Sequence, residues 1–237
     1  MASPMIDAEL TGPSPLVRAR VAGLVGVVVL ASGSFAGFVA SKLFVRGDAV
    51  ATARNFAGSE PLFRLGMVSS LIMMIASLFY ALLLYRLLER VNKSAAVIMV
   101  VLLLISVPIY MLSQVNQFAV LLLASEQQYE HVKLFLDLHR LGNLIAGIFF
   151  GLWLFPLGFL VFKSGFFPRL LGILLMVGSL GYLALFVEAF FFPGTERTLW
   201  TNPFLVVTHA SELAMMLWLL VRGLNVDQWK RRAPQSG

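Results

Sequence analysis

The sequence predicts an all-α fold: a polytopic membrane helix bundle of six transmembrane helices with both termini cytoplasmic. Three observations carry this. Of 237 residues, 59% are hydrophobic without counting glycine and 13% are charged. Soluble domains hold roughly 45–50% apolar residues with glycine counted and about 25% charged. Apolar runs long enough to cross a bilayer recur six times, a crossing helix needing about 20 such residues. None of these runs alternates with the period of two that a transmembrane barrel requires. The composition excludes a soluble enzyme and a disordered chain. The absence of cysteine excludes disulfide frameworks, thiolate metal sites, iron–sulfur clusters and cysteine nucleophiles.

The elements follow in order. Residues 1–15 form a polar N-terminal tail that contains Asp7 and Glu9 and ends in Gly12-Pro13-Ser14-Pro15. A cleaved signal peptide starts with basic residues, so the first span is expected to stay as an anchor. That span runs over Leu16–Ala40 and carries Gly33-x-x-x-Gly37. The second, Leu62–Tyr85, opens at Arg64. The third, Ala95–Ala124, contains Pro108, which predicts a kink, and then Gln114, Asn116 and Gln117. The fourth, Leu141–Phe162, is preceded by Asp137, His139 and Arg140 and includes Asn143 and Gly147-x-x-x-Gly151. The fifth, Leu170–Phe192, holds Gly172, Gly178, Gly181 and, near its end, Glu188. The sixth, Pro203–Val221, holds His209 and Glu212. Residues 16–222 thus read as one bundle and 223–237 as a basic cytoplasmic tail. The longest connections are Ser41–Pro61 and Ser125–Arg140, too short for a soluble domain. There is no internal repeat of the kind that marks inverted-repeat transporters.

Charge orients the bundle. Eleven of the 18 basic residues fall on the side of the termini, from Arg18 and Arg20 through Arg86, Arg90, Lys93, Lys163 and Arg169 to Arg222 and Lys230–Arg232. That side is expected to be the cytoplasm, in the plasma membrane of a prokaryote. The net charge of +6 is read as topology and contact with anionic lipid; no basic domain is present to hold nucleic acid. Small residues four apart allow close helix packing, and Gly147 with Gly151 could serve an oligomer. The four tryptophans read as interfacial anchors or core.

Polar groups inside spans are costly and need a reason. With both termini inside, Arg64, Gln114, Gln117, Asp137, His139, Arg140, Asn143 and Glu188 fall at the outer ends of their helices. His209 and Glu212 lie about 9 and 14 Å below the start of the sixth span at 1.5 Å per residue. Helical spacing pairs Gln114 with Gln117, His139 with Asn143, and His209 with Glu212 on shared faces. The expected result is one outward-facing pocket with Glu212 at its floor. It would bind a small polar ligand or ion. An alternative is a metal-dependent membrane hydrolase, with His139, His209 and Glu212 holding a divalent metal and Glu188 as base or fourth ligand. Haem between His139 and His209 meets only the minimum requirement of two histidines at similar depth. A third reading is a structural or sensory subunit whose polar network only stabilises. Ser211 beside His209 does not suggest a serine hydrolase, because residues two apart diverge on a helix. No phosphate-binding loop or dinucleotide fingerprint is present.

Several strings occur together: "LFRLG" at Leu62–Gly66, "ISVPIYMLSQVNQ" around Pro108, and "LFLDLHRLG" at Leu134–Gly142. "GLWLFPLGFLVFKSGFFPRLLGILL" covers Gly151–Leu175, and "LWLLVRGLN" closes the sixth span. With these the chain resembles, over roughly Leu16–Trp229, the bacterial membrane family catalogued as domain-of-unknown-function family 4386. The resemblance implies a multi-pass helical membrane protein and supplies no activity. Arg64, Asp137, His139, Pro156, Lys163, Gly165, Pro168 and Glu212 match its pattern. Ser70, where members carry Asp, and Leu141, where they carry a polar residue, depart from it.

Overall fold

The computed structural model describes residues 14–192 and 203–232. Residues 1–13 of the expected N-terminal tail, the connection that includes Arg197 and the last five residues lie outside them. The elements are α1 (Pro15–Leu43), α2 (Ala49–Gly58), α3 (Glu60–Leu88), α4 (Lys93–Ser125), α5 (Val132–Ser164), α6 (Arg169–Phe191), α7 (Pro203–Val221) and α8 (Val226–Arg231). A single 3-10 turn, Tyr129–His131, leads into α5. Helices α1, α3, α4, α5 and α6 are long and apolar enough to cross a membrane. The shorter α7 has 19 residues, which span about 28 Å against a hydrocarbon core of about 30 Å. The protein is an all-α polytopic membrane bundle.

Local chemistry sets the helix ends. Ser14 Oγ accepts the Val17 N–H at 3.3 Å and Pro15 occupies the first turn of α1. Asp48 accepts Ala51 N–H at 2.8 Å to start α2, and Asn92 does the same for Ala95 in α4 at 2.8 Å. Such side-chain caps satisfy amide groups that have no partner within the helix. Helix α5 stops at Gly165, whose φ of 76° suits glycine and turns the chain into α6.

The six long helices close a ring. Each packs on the next in the order α1, α3, α4, α5, α6, α7, and α7 returns to α1. Glycines set several of these approaches. A Cβ on Gly23 would come 2.7 Å from Leu220 Cα, and one on Gly158 would meet the Gly172 carbonyl at 2.7 Å. The larger core fills one half of the ring with Tyr80, Leu84, Met99, Leu103, Leu154, Leu157, Met215 and Leu219. A second core (Val39, Leu43, Phe56, Phe63, Met67, Val120, Val132) closes the end that carries α2. At the opposite end α8 seals the ring. Trp229 is buried, its indole N–H donates to the Leu87 carbonyl at 3.1 Å, and Arg90 lies 4.0 Å over its ring. Burial there lowers the Arg90 guanidinium from its ordinary value.

Three features differ from the sequence reading. The Ser41–Pro61 connection contains helix α2, which presents Ala49, Thr52, Ala53 and Phe56 inward at helical spacing. Helix α5 begins at Val132, nine residues before the expected Leu141, so Asp137, His139 and Arg140 are helical. Part of the basic tail is the folded α8. Gly151, considered for an oligomer face, packs within the chain: a Cβ there would sit 2.8 Å from Tyr182 Cβ, whereas at Gly147 it would meet nothing within 4 Å.

Candidate functional site

Helices α4 and α5 make the site because they touch closely. A Cβ on Gly142 would lie 2.6 Å from Ser113 Cβ, so only glycine lets Ser113 approach α5 at this level. That approach places the Ser113 carbonyl 3.0 Å from His139 Nδ1. A carbonyl only accepts, so Nδ1 carries the proton and donates. His139 Nε2 then accepts from Gln117 Nε2 at 2.6 Å and from Asn143 Nδ2 at 3.0 Å. The Asn143 carbonyl oxygen in turn accepts from the Ser113 hydroxyl at 2.5 Å. Phe44, just beyond α1, stacks on the imidazole with centroids 6.1 Å apart. The outcome is a buried His139 held from three sides in one orientation.

This network forms part of the wall of a cavity of about 230 Å³. Gln114, Gln117, His139, Asn143, Tyr110 and Ser70 supply its polar side. Small and apolar residues of α1 and α3 supply the other, among them Gly33, Gly37, Val39, Met67 and Met73. Tyr110 brings its hydroxyl to Ser70 and Gln114. Gln114 is 3% exposed, and its amide nitrogen has no hydrogen-bond partner of normal geometry. A buried donor without an acceptor is costly, so this nitrogen is a standing demand for one. Among the described residues no aspartate, glutamate, lysine or arginine lines the cavity.

Only part of the expected constellation is assembled. Gln114, Gln117, His139 and Asn143 converge; the other six do not join them. Arg64 is exposed on the surface of α3 and pairs with Glu60 at 2.6 Å. Asp137 and Arg140 are half-buried on α5 and are not among the cavity residues. Glu212 does not form the cavity floor. It accepts from the Tyr182 hydroxyl at 3.4 Å, in a separate cluster among α3, α6 and α7 that includes Tyr80. His209 is exposed on α7, its ring 6.4 Å from that of Tyr182. Glu188 is half-buried on α6 and is not among the cavity residues. The triad of His139, His209 and Glu212 considered for a divalent metal is therefore not assembled. Among the described residues no three histidine, aspartate or glutamate side chains come together to hold an ion. The physical reason is that the polar helix faces aim at two different places in the ring.

Ser113, Tyr110, Ser70, Gly142 and Phe44 belong to the site and were not selected from the sequence. Gly142 carried a signal: it lies three residues after His139, one turn along the same helix. The serines and Tyr110 carried none, since such residues are ordinary in membrane helices.

The family described as "Domain of unknown function (DUF4386)" matches residues 21–223. A protein of Archaeoglobus fulgidus described as an uncharacterized protein is 35% identical over 81 residues, which cover 34% of this chain and 46% of that one. The chain thus aligns with about half the length of that relative. No solved structure matches.

Proposed function

We propose, for a chain that belongs to the DUF4386 family, a binding role: the cavity among α1, α3, α4 and α5 holds a small uncharged ligand that accepts a hydrogen bond from Gln114. The protein is an integral membrane protein; we place it in the plasma membrane with both termini inside, so the cavity lies in the outer half of the bilayer. The observation that carries the reading is the buried Gln114 amide, unpartnered and facing a cavity of about 230 Å³. The described lining residues carry no charge, which argues for a neutral occupant, because an ion beside them would lack a counter-charge. This narrows the earlier expectation of a polar solute or ion.

A second reading has its own support. His139, Gln117, Asn143 and Ser113 satisfy one another, as a purely stabilising network would. Thermal unfolding of the purified protein with benzamide, p-cresol and sodium benzoate separates the two. Saturable stabilisation by a neutral probe, absent with benzoate and weakened about tenfold in Gln114→Leu, is expected for the binding role. If no probe shifts the wild type, and Gly37→Phe melts higher because it fills the cavity, the stabilising reading stands instead.

A further inference from the structure

Where the cavity opens decides what can reach it. Its end nearest α2 is closed. Phe44 covers His139, Phe56 is fully buried with its ring 5.1 Å from that of Phe44, and Leu43, Phe63 and Val132 complete the plug. A solute arriving from water on that side would have to displace this apolar cap. The flank differs. Gly37 lines the cavity and is also exposed on the outside of the ring, and a Cβ there would meet nothing within 4 Å. Its neighbours Phe35 and Phe38 are 41% and 54% exposed, a surface that in a crossing helix faces lipid. Gly37 lies six residues before the end of α1, about 9 Å inside the helix end. On one side α1 is held by α3, through Ser69 donating to the Ser32 carbonyl at 2.9 Å and Val39 against Gly66. Its close approaches to α7 come much further down, at Gly23 and Gly26.

We infer that the cavity fills sideways from the bilayer, through a mouth beside Gly37. Its occupant is an uncharged membrane-dissolved amphiphile that presents a hydrogen-bond acceptor to Gln114 and an apolar body to Met67 and Met73. The inference rests on the binding role proposed above and names the ligand class for that site. Scaling from a cavity of about 150 Å³ that takes benzene gives an enclosed part of about nine non-hydrogen atoms. That is a ring with one or two substituents. Any longer alkyl chain would trail through the mouth into lipid.

The chain has no cysteine, so Gly37→Cys introduces a unique thiol, with Ala40→Cys as a second reporter on the same wall. Each is nitroxide-labelled and reconstituted in phosphatidylethanolamine–phosphatidylglycerol vesicles. Spin relaxation is then measured with oxygen, which concentrates in lipid, and with a water-soluble nickel chelate. The unlabelled wild type is melted in the same vesicles with 4-hexylphenol and with 4-hexylbenzoate. Oxygen-dominated relaxation at Gly37, stabilisation by the phenol and none by the benzoate are the expected results. If phenol itself stabilises the detergent-solubilised protein while the label responds mainly to the nickel chelate, the lateral mouth is wrong and the binding role survives. If neither phenol nor 4-hexylphenol stabilises it, both fail.

Discussion

At the scale of single residues, two buried polar groups on neighbouring helices carry opposite expectations. His139 is fully engaged. Replacing it with leucine leaves the Ser113 carbonyl and the Gln117 and Asn143 amides without their partner. Each stranded group costs about 1–3 kcal/mol, so His139→Leu is expected to lose about 3 kcal/mol or more. The Gln114 amide nitrogen makes no hydrogen bond of normal geometry, so Gln114→Leu, which strips only its contact with the Tyr110 hydroxyl, is expected to cost less than about 1 kcal/mol. Reversible unfolding in mixed detergent micelles reads both. Equal losses would mean that the Gln114 amide is satisfied in the native protein, and the case for a ligand there would fall. Gly142→Ala supplies an independent check of the same geometry. Its methyl would push Ser113 away, and the expected result is a loss close to that of His139→Leu.

Whole helices show how differently one residue type is used. Gly172 faces α5 so closely that a Cβ would sit 2.7 Å from the Gly158 carbonyl, whereas Gly37 faces open space. Gly172→Ala is expected to pry α5 from α6 and cost about 1–3 kcal/mol. Gly37→Ala is expected to be neutral, or to gain up to about 1 kcal/mol from helix propensity. Melting temperatures of the two variants make the comparison, and similar losses would contradict the packing described. Helix α2 depends on one side chain more than any other, since Phe56 is its fully buried anchor. Phe56→Ala is expected to cost about 3–5 kcal/mol and to raise amide exchange over residues 49–58 before the rest of the bundle. The α2 signal was legible, in Asp48 followed by inward residues at positions 49, 52, 53 and 56. It was weak because the apolar face is short and three of its four residues are alanine or threonine.

For the whole molecule, the ring of six helices brings the start of α1 and the end of α7 to one side, and α8 packs on that side. We propose from the charge asymmetry that this side is cytoplasmic. A reporter fused after residue 237 is expected to behave as cytoplasmic, and one inserted in the connection before α2 as extracytoplasmic. The reverse pattern would invert the orientation and move the cavity to the inner leaflet. The ring arrangement also explains why the polar residues form two clusters. Helices α4 and α5 turn their amides toward the α1–α3 side, while α6 and α7 turn Tyr182 and Glu212 toward Tyr80.

The sequence by itself determined the class of the protein, its long apolar helices, an expectation of orientation by charge, and the shared faces of His139 with Asn143 and of Gln114 with Gln117. These follow from apolar length, charge placement and the 3.6-residue period, all of which are local. Tertiary structure alone decided which faces meet. Depth put His139, His209 and Glu212 near one another along the membrane normal, but depth leaves the direction around the ring undetermined. The order of helices in the ring, and the Gly142–Ser113 approach that locks α4 to α5, separated Glu212 from His139 and left the Gln114 amide facing a cavity. That choice depends on contacts between residues distant in the chain, and no periodicity within one helix records it.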